Sequence, residues 1–143
     1  MADDFPITIF HNPNCGTSRN VLAMIRAAGY SPAVIEYLKT GSTRPQLTEW
    51  LAAMKAKPRD ILREKGTPAA ELGLLDPRVG DDQLLDAMTV YPILVNLPIV
   101  VTPKGTKLAR PSEVVFDLLG RVPASFTKED GEVIAPRGTK SRC

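Results

Sequence analysis

Cys15 stands in a polar stretch, His11-Asn12-Pro13-Asn14-Cys15-Gly16-Thr17-Ser18-Arg19, between two apolar segments of different period. Before it, Phe5–Phe10 is a short isoleucine-containing run that reads as a buried strand entering a tight turn. After it, Val21, Leu22, Ile25 and Ala28 fall on one helical face, with Gly29 where a C-cap sits. The cysteine is therefore expected at a strand-to-helix corner. There the unpaired N–H groups and the positive end of the helix dipole favour thiolate over thiol. Ser18 is close enough to donate a hydrogen bond to the sulfur, and His11 and Arg19 are cation candidates that would lower the thiol pKa further. A free cysteine is often just a small core residue. Asn, Pro, Gly, Thr and Ser around Cys15, in place of Val or Leu, point instead to a nucleophile. The same N–H groups bind oxyanion oxygens. Arg63 and Arg110 are the guanidinium groups that could complete such a site, the latter because Arg110-Pro111-Ser112 lies where a hairpin ends and a helix begins. By residue type alone each arginine is more commonly a solvated surface charge.

Several reaction classes are excluded. The chain has no G-x-x-x-x-G-K-[ST] phosphate loop. Six residues on from Cys15 stands Val21, so the Cys-x5-Arg cradle of tyrosine phosphatases is missing. Ser18 occupies the second position of a Cys-x-x-Cys pair, so a resolving thiol must be Cys143 or a separate small thiol. With one histidine, His11, and two cysteines at opposite ends, no multi-imidazole metal site, zinc cluster or disulfide framework can form. No metal and no tightly bound cofactor is expected.

The whole chain is 143 residues, 43% hydrophobic and 24% charged, the size and balance of one globular core. A net charge of +2 gives no footprint for nucleic acid. No apolar run approaches the ~18 residues of a membrane helix, and the acidic opening Met1-Ala2-Asp3-Asp4 is unlike a signal peptide. A cytoplasmic protein without a membrane partner is expected.

Around the cysteine corner, Ala33–Tyr37 reads as a second strand, completing a unit of βαβ size. Thr43 with Gln46 is a capping pattern ahead of Leu47, Trp50, Leu51 and Met54; Pro58–Glu64 and Pro68–Leu72 read as short helices opened by proline. Asp81 can cap a helix carrying Leu84, Leu85, Met88 and Tyr91. Strand character returns at Ile99-Val100-Val101, Lys104-Gly105 turns the chain into Thr106–Ala109, and Pro111 opens a last helix with Val114, Val115, Leu118 and Leu119 inward. The expected architecture is α/β: one domain over 5–120 with a helical insertion at about 43–91, then a loosely held tail over 121–143. Strands from both ends share one sheet, which brings residues near 11–19 together with those near 97–110.

The segments His11–Asn20, Leu62-Arg63, Pro98–Pro103, Gly105-Thr106, Arg110–Val115 and Phe126–Gly131, in this order and register, resemble the glutathione- and glutaredoxin-coupled arsenate reductases over nearly the whole chain. The resemblance implies a thioredoxin-like sheet with an inserted helical subdomain, and a reaction in which Cys15 attacks arsenate or a similar oxyanion. Glutathione, as co-substrate, then attacks the arsenic, and glutaredoxin reduces the resulting adduct. It further implies that His11 and Ser18 tune the thiolate, that Arg63 and Arg110 hold the oxyanion, and that Pro98 is a cis-proline opposite the cysteine. In one respect the chain departs from the family, which has a substrate-site arginine where this sequence reads Leu97. A charge-assisted hydrogen bond contributes about 1.5–3 kcal/mol, so oxyanion binding weaker by roughly 10- to 150-fold is expected. That loss keeps open a glutaredoxin-like thiol transferase on the same fold. A thioredoxin-like interaction module ranks behind both, since Ser18 removes its Cys-x-x-Cys switch.

Overall fold

A computed structural model describes residues 5–135; Cys143, weighed above as a resolving thiol, lies outside them. The chain folds as two compact units, one made of the residues up to Glu36 and from Leu97 onward, the other of Tyr37–Asn96.

In the first unit, β1 (Thr8–His11) is followed by helix α1 (Gly16–Ala27) and β2 (Ala33–Glu36). β1 and β2 are parallel, with Thr8 opposite Ala33 and His11 opposite Glu36. β3 (Ile99–Thr102) returns antiparallel on the other side of β1, Ile9 facing Val100, and β4 (Gly105–Leu108) closes the order β2-β1-β3-β4. This is the thioredoxin-like sheet expected from the resemblance, and Leu97–Pro98 is cis. So is Arg110–Pro111, which neither spacing nor resemblance anticipated.

β1 begins three residues later than the apolar run. Phe5 lies instead against the ring of Tyr30, centroids 5.2 Å apart. The β3–β4 turn sits on Pro103-Lys104 rather than Lys104-Gly105. Gly105 already pairs with Thr102 and takes a φ of +142°, open to glycine alone. The last helix expected after Pro111 is a 3-10 helix over Ser112–Leu118. Together with α1 it covers the apolar side of the sheet, where Ile7, Ile9, Val21, Met24, Ile25, Val100, Val115 and Leu118 make one buried cluster.

The segment after 120, expected to be a loose tail, is anchored as far as it is described. Arg121 donates to the carbonyls of Ala28 and Gly29 at the end of α1 and lies over the Tyr30 ring, 4.2 Å from its centroid. Beyond it β5 (Phe126–Thr127) and β6 (Val133–Ile134) form a hairpin whose Phe126 and Ile134 pack against the core cluster. Arg121, a few apolar side chains and the ion pairs of Lys128 and Glu129 hold this polar segment, contacts too scattered for composition to reveal.

The second unit contains α2 (Tyr37–Thr40), α3 (Arg44–Met54) and α4 (Asp81–Val90). It is wider than the 43–91 read from the sequence, because α2 and the 3-10 turn Pro92–Leu94 pack within it. Thr43 caps α3, its hydroxyl accepting the Gln46 N–H at 3.3 Å. Leu47, Trp50, Leu51, Leu84, Leu85 and Met88 are buried. Pro58–Ile61 is a single 3-10 turn, and the helix expected over Pro68–Leu72 is a run of turns. Arg59 organises the loop beyond by donating to the carbonyls of Leu74, Asp76 and Val79.

Candidate functional site

The sulfur is placed by backbone geometry. Cys15 is the N-cap of α1, extended at φ −103°, ψ 123°. Its N–H donates to the Asn12 carbonyl at 3.0 Å, and its carbonyl accepts the Arg19 N–H at 3.0 Å, beginning the helix. Asn12 closes the loop a second time, its Oδ1 accepting the Asn14 N–H at 3.0 Å. Pro13 lies between the two asparagines. Asx turns of this kind suit a strand that must reverse into a helix.

Cys15 is half-buried and its thiol is free. Burial pushes the thiol pKa up; the Ser18 N–H, the Arg110 guanidinium, the Thr17 N–H and the Arg110 charge outweigh it, leaving the thiol below its ordinary value. The N–H groups polarise the sulfur without reaching the geometry of a formed side-chain cap. Arg110 Nη1 stands 3.8 Å from Sγ and also donates to the Leu97 carbonyl at 3.1 Å, a contact that fixes the guanidinium over the sulfur. The sheet thus brings together residues 95 apart in the chain, as the shared strands require.

His11 and Ser18 are both buried and act on the site differently from the sequence expectation. His11 Nδ1 is 2.6 Å from Ser18 Oγ, and that oxygen also accepts the Asn12 N–H at 3.1 Å. The hydroxyl is therefore committed to His11 and the loop, and it is the Ser18 backbone that faces the sulfur. Burial lowers the His11 pKa, Glu36 opposes this, and Arg26 and Arg19 lower it further, so the ring is neutral at physiological pH. His11 is therefore not the cation expected; it holds Ser18, and through it the first turn of α1.

Arg19 commits its donors to groups other than the sulfur. Its Nε and Nη2 donate to both carboxylate oxygens of Glu129 at 2.8 and 3.0 Å, and Nη1 to the Pro13 carbonyl at 2.9 Å. Glu129 raises the Arg19 pKa first and most, and Cys15 is the smallest influence on it.

Arg63 lies in the second unit, half-buried, its N–H donating to the Leu94 carbonyl at 2.7 Å and its Nε to the Lys65 carbonyl at 3.2 Å. A bridge between Leu62 and Val95 and the Asn96 Nδ2 bond to the Leu62 carbonyl fix its backbone. Leu97, read as the missing arginine, is buried at 4% exposure. Sequence reasoning missed Asn12, which its Asn-Pro-Asn context could have marked as a turn former, and Glu129, 110 residues from Arg19, which no local signal marks.

The arrangement favours the thiolate, set beside a guanidinium and helix N–H groups, and so suits attack on a centre that carries anionic oxygens. Among the described residues, no helix is long and apolar enough to cross a membrane. Residues 10–118 match the ArsC family. An arsenate reductase of Synechocystis sp. is 62% identical over 129 residues, 90% of this chain and 92% of that one. An arsenate reductase of Escherichia coli strain K12 is 50% identical over 135 residues, 94% and 96% of the two chains. The solved structure of an arsenate reductase from Vibrio cholerae superposes with a TM-score of 0.76 at 34% identity, covering 80% of this chain and 98% of that one.

Proposed function

Because the chain belongs to the ArsC family, we propose that it reduces arsenate to arsenite, with Cys15 as the nucleophile and glutathione and glutaredoxin as reductants. The observation that carries the reading is the Cys15 sulfur at the start of α1 with Arg110 3.8 Å away. The thiolate attacks arsenic(V) and an oxygen leaves as water after protonation. A glutathione thiolate then attacks the adduct. It attacks at arsenic and displaces a second oxygen as water; a glutaredoxin thiolate then attacks the glutathione sulfur, the sulfur–arsenic bond breaks with its electron pair left on arsenic, and water releases arsenite from the Cys15 sulfur. Arg110 neutralises the oxyanion as charge shifts onto its oxygens, and the helix N–H groups stabilise the thiolate before attack. Arg63 is kept as a second oxyanion donor on the resemblance alone. No tightly bound cofactor enters this scheme, and its reductants belong to a reducing, cytoplasmic setting.

The test is arsenite production by the purified chain with glutathione and glutaredoxin. Turnover is expected to vanish in Cys15→Ser; turnover that survives would refute the nucleophile. The buried Leu97, apolar where the family carries an arginine, favours a second reading as a thiol transferase. Deglutathionylation without any dependence on arsenate would select it.

A further inference from the structure

Cys15 and Arg110 are 95 residues apart in the chain; the sheet brings them to one end of the fold, and their final spacing depends on how the start of α1 is held to the segment that begins at Arg110. Two consecutive residues of the β5–β6 turn touch both. Glu129 grips α1: its carboxylate receives Arg19 Nε and Nη2 at 2.8 and 3.0 Å, and its backbone N–H donates to Asn20 Oδ1 at 3.0 Å. Arg19 carries the grip into the loop before the cysteine through its bond to the Pro13 carbonyl. Lys128 grips the other side. Its Nζ is 2.7 Å from Glu113 Oε1, an ion pair that lacks the angle of a full hydrogen bond, and 3.1 Å from Glu132 Oε1.

The turn itself is closed by the Gly131 N–H to the Lys128 carbonyl and the Lys128 N–H to the Glu132 carbonyl. Phe126 and Ile134 fasten the hairpin to the core. We infer that the Lys128-Glu129 turn is a splint that sets the spacing of Cys15 and Arg110, and that both its residues are positioning residues for the thiolate. An isolated exposed ion pair contributes little, and Arg19 and Glu129 are 45% and 48% exposed. This pair is bidentate and shares its ends with the Pro13 and Asn20 contacts, the circumstances in which such pairs do hold geometry.

A competing account makes Glu129 only a neutraliser of the Arg19 charge, and the two differ in sign. Without the carboxylate, an uncompensated Arg19 cation would by charge alone lower the Cys15 pKa. Loss of the splint would raise it, because the sulfur drifts from Arg110. The experiment uses the full chain and follows the rate of iodoacetamide modification of Cys15 against pH. Modification is read on the Cys15 peptide by mass spectrometry, so that Cys143 does not contribute. Glu129→Gln is expected to raise the midpoint by about half to one pH unit, about three- to ten-fold less thiolate at a given pH below it. Asn20→Ala changes no charge and is expected to shift the midpoint upward by less; it decides alone if Glu129→Gln does not fold. A downward shift in Glu129→Gln overturns the inference. So does an unmoved midpoint in both variants, whatever happens to melting temperature. No oxyanion or reductant enters the measurement, so this result is independent of the proposed reaction.

Discussion

Replacing Arg110 with methionine keeps an apolar stem and removes the one guanidinium that, among the described residues, bonds to the sulfur. Two unit charges about 4 Å apart interact by ~1 kcal/mol in water and ~4 kcal/mol at an effective dielectric of 20. The Arg110–Cys15 contact is open to solvent, so the lower figure applies, discounted for screening. At 1.36 kcal/mol per pH unit, the Cys15 thiol is expected to rise by roughly half a unit. The iodoacetamide pH profile of Cys15 measures this directly. In the same variant the affinity for sulfate or arsenate, by calorimetry, is expected to fall about ten-fold for the loss of a charge-assisted hydrogen bond. An unchanged profile would refute the reasoning, since it would leave the helix start alone responsible for the thiolate.

The His11 pKa is depressed in the folded chain, chiefly by burial, so the unfolded state binds more protons. The stability this gives is fully present above the ordinary histidine value, begins to fall as pH drops through it, and is lost as pH drops through the folded value; melting curves of the parent between pH 7 and 5 are expected to show that loss, and His11→Asn to remove it. Gly120→Ala places a Cβ 2.9 Å from the Tyr30 hydroxyl, on a ring held by Phe5 and Arg121, and is expected to cost about 1–3 kcal/mol by calorimetry. Leu97→Arg is expected to tighten sulfate binding by about ten-fold while lowering the melting temperature, since a charge replaces a buried apolar side chain; unchanged affinity would show that position 97 does not face the anion.

What could be read from the sequence follows the range of the interactions. The strand, helix and strand around Cys15 announce themselves by a change from a short apolar run to helical spacing, and the Thr43 cap by its partner three residues on. Both are local. Cys15 was legible because polar residues surround it at a helix start. Arg110 was placed by reasoning that strands from both ends share a sheet, a topological step that local signals permit. The roles of His11, Ser18 and Arg19 were not legible in detail. Which of several nearby polar groups meets the sulfur is set by the path of the Asn12–Cys15 loop and by Glu129, which arrives from the far end of the chain. The anchoring of 121–135 was hidden for the same reason: Arg121 works by capping α1 from 92 residues away.

The proposed reaction depends on a Cys15 sulfur biased toward the thiolate in a site that accepts oxyanions. The most direct measurement is the pH dependence of Cys15 modification in the unmodified protein, with and without arsenate. A midpoint below that of an ordinary thiol is expected, with modification slowed as arsenate occupies the site. A midpoint at or above the ordinary value, with a rate indifferent to arsenate, would contradict it.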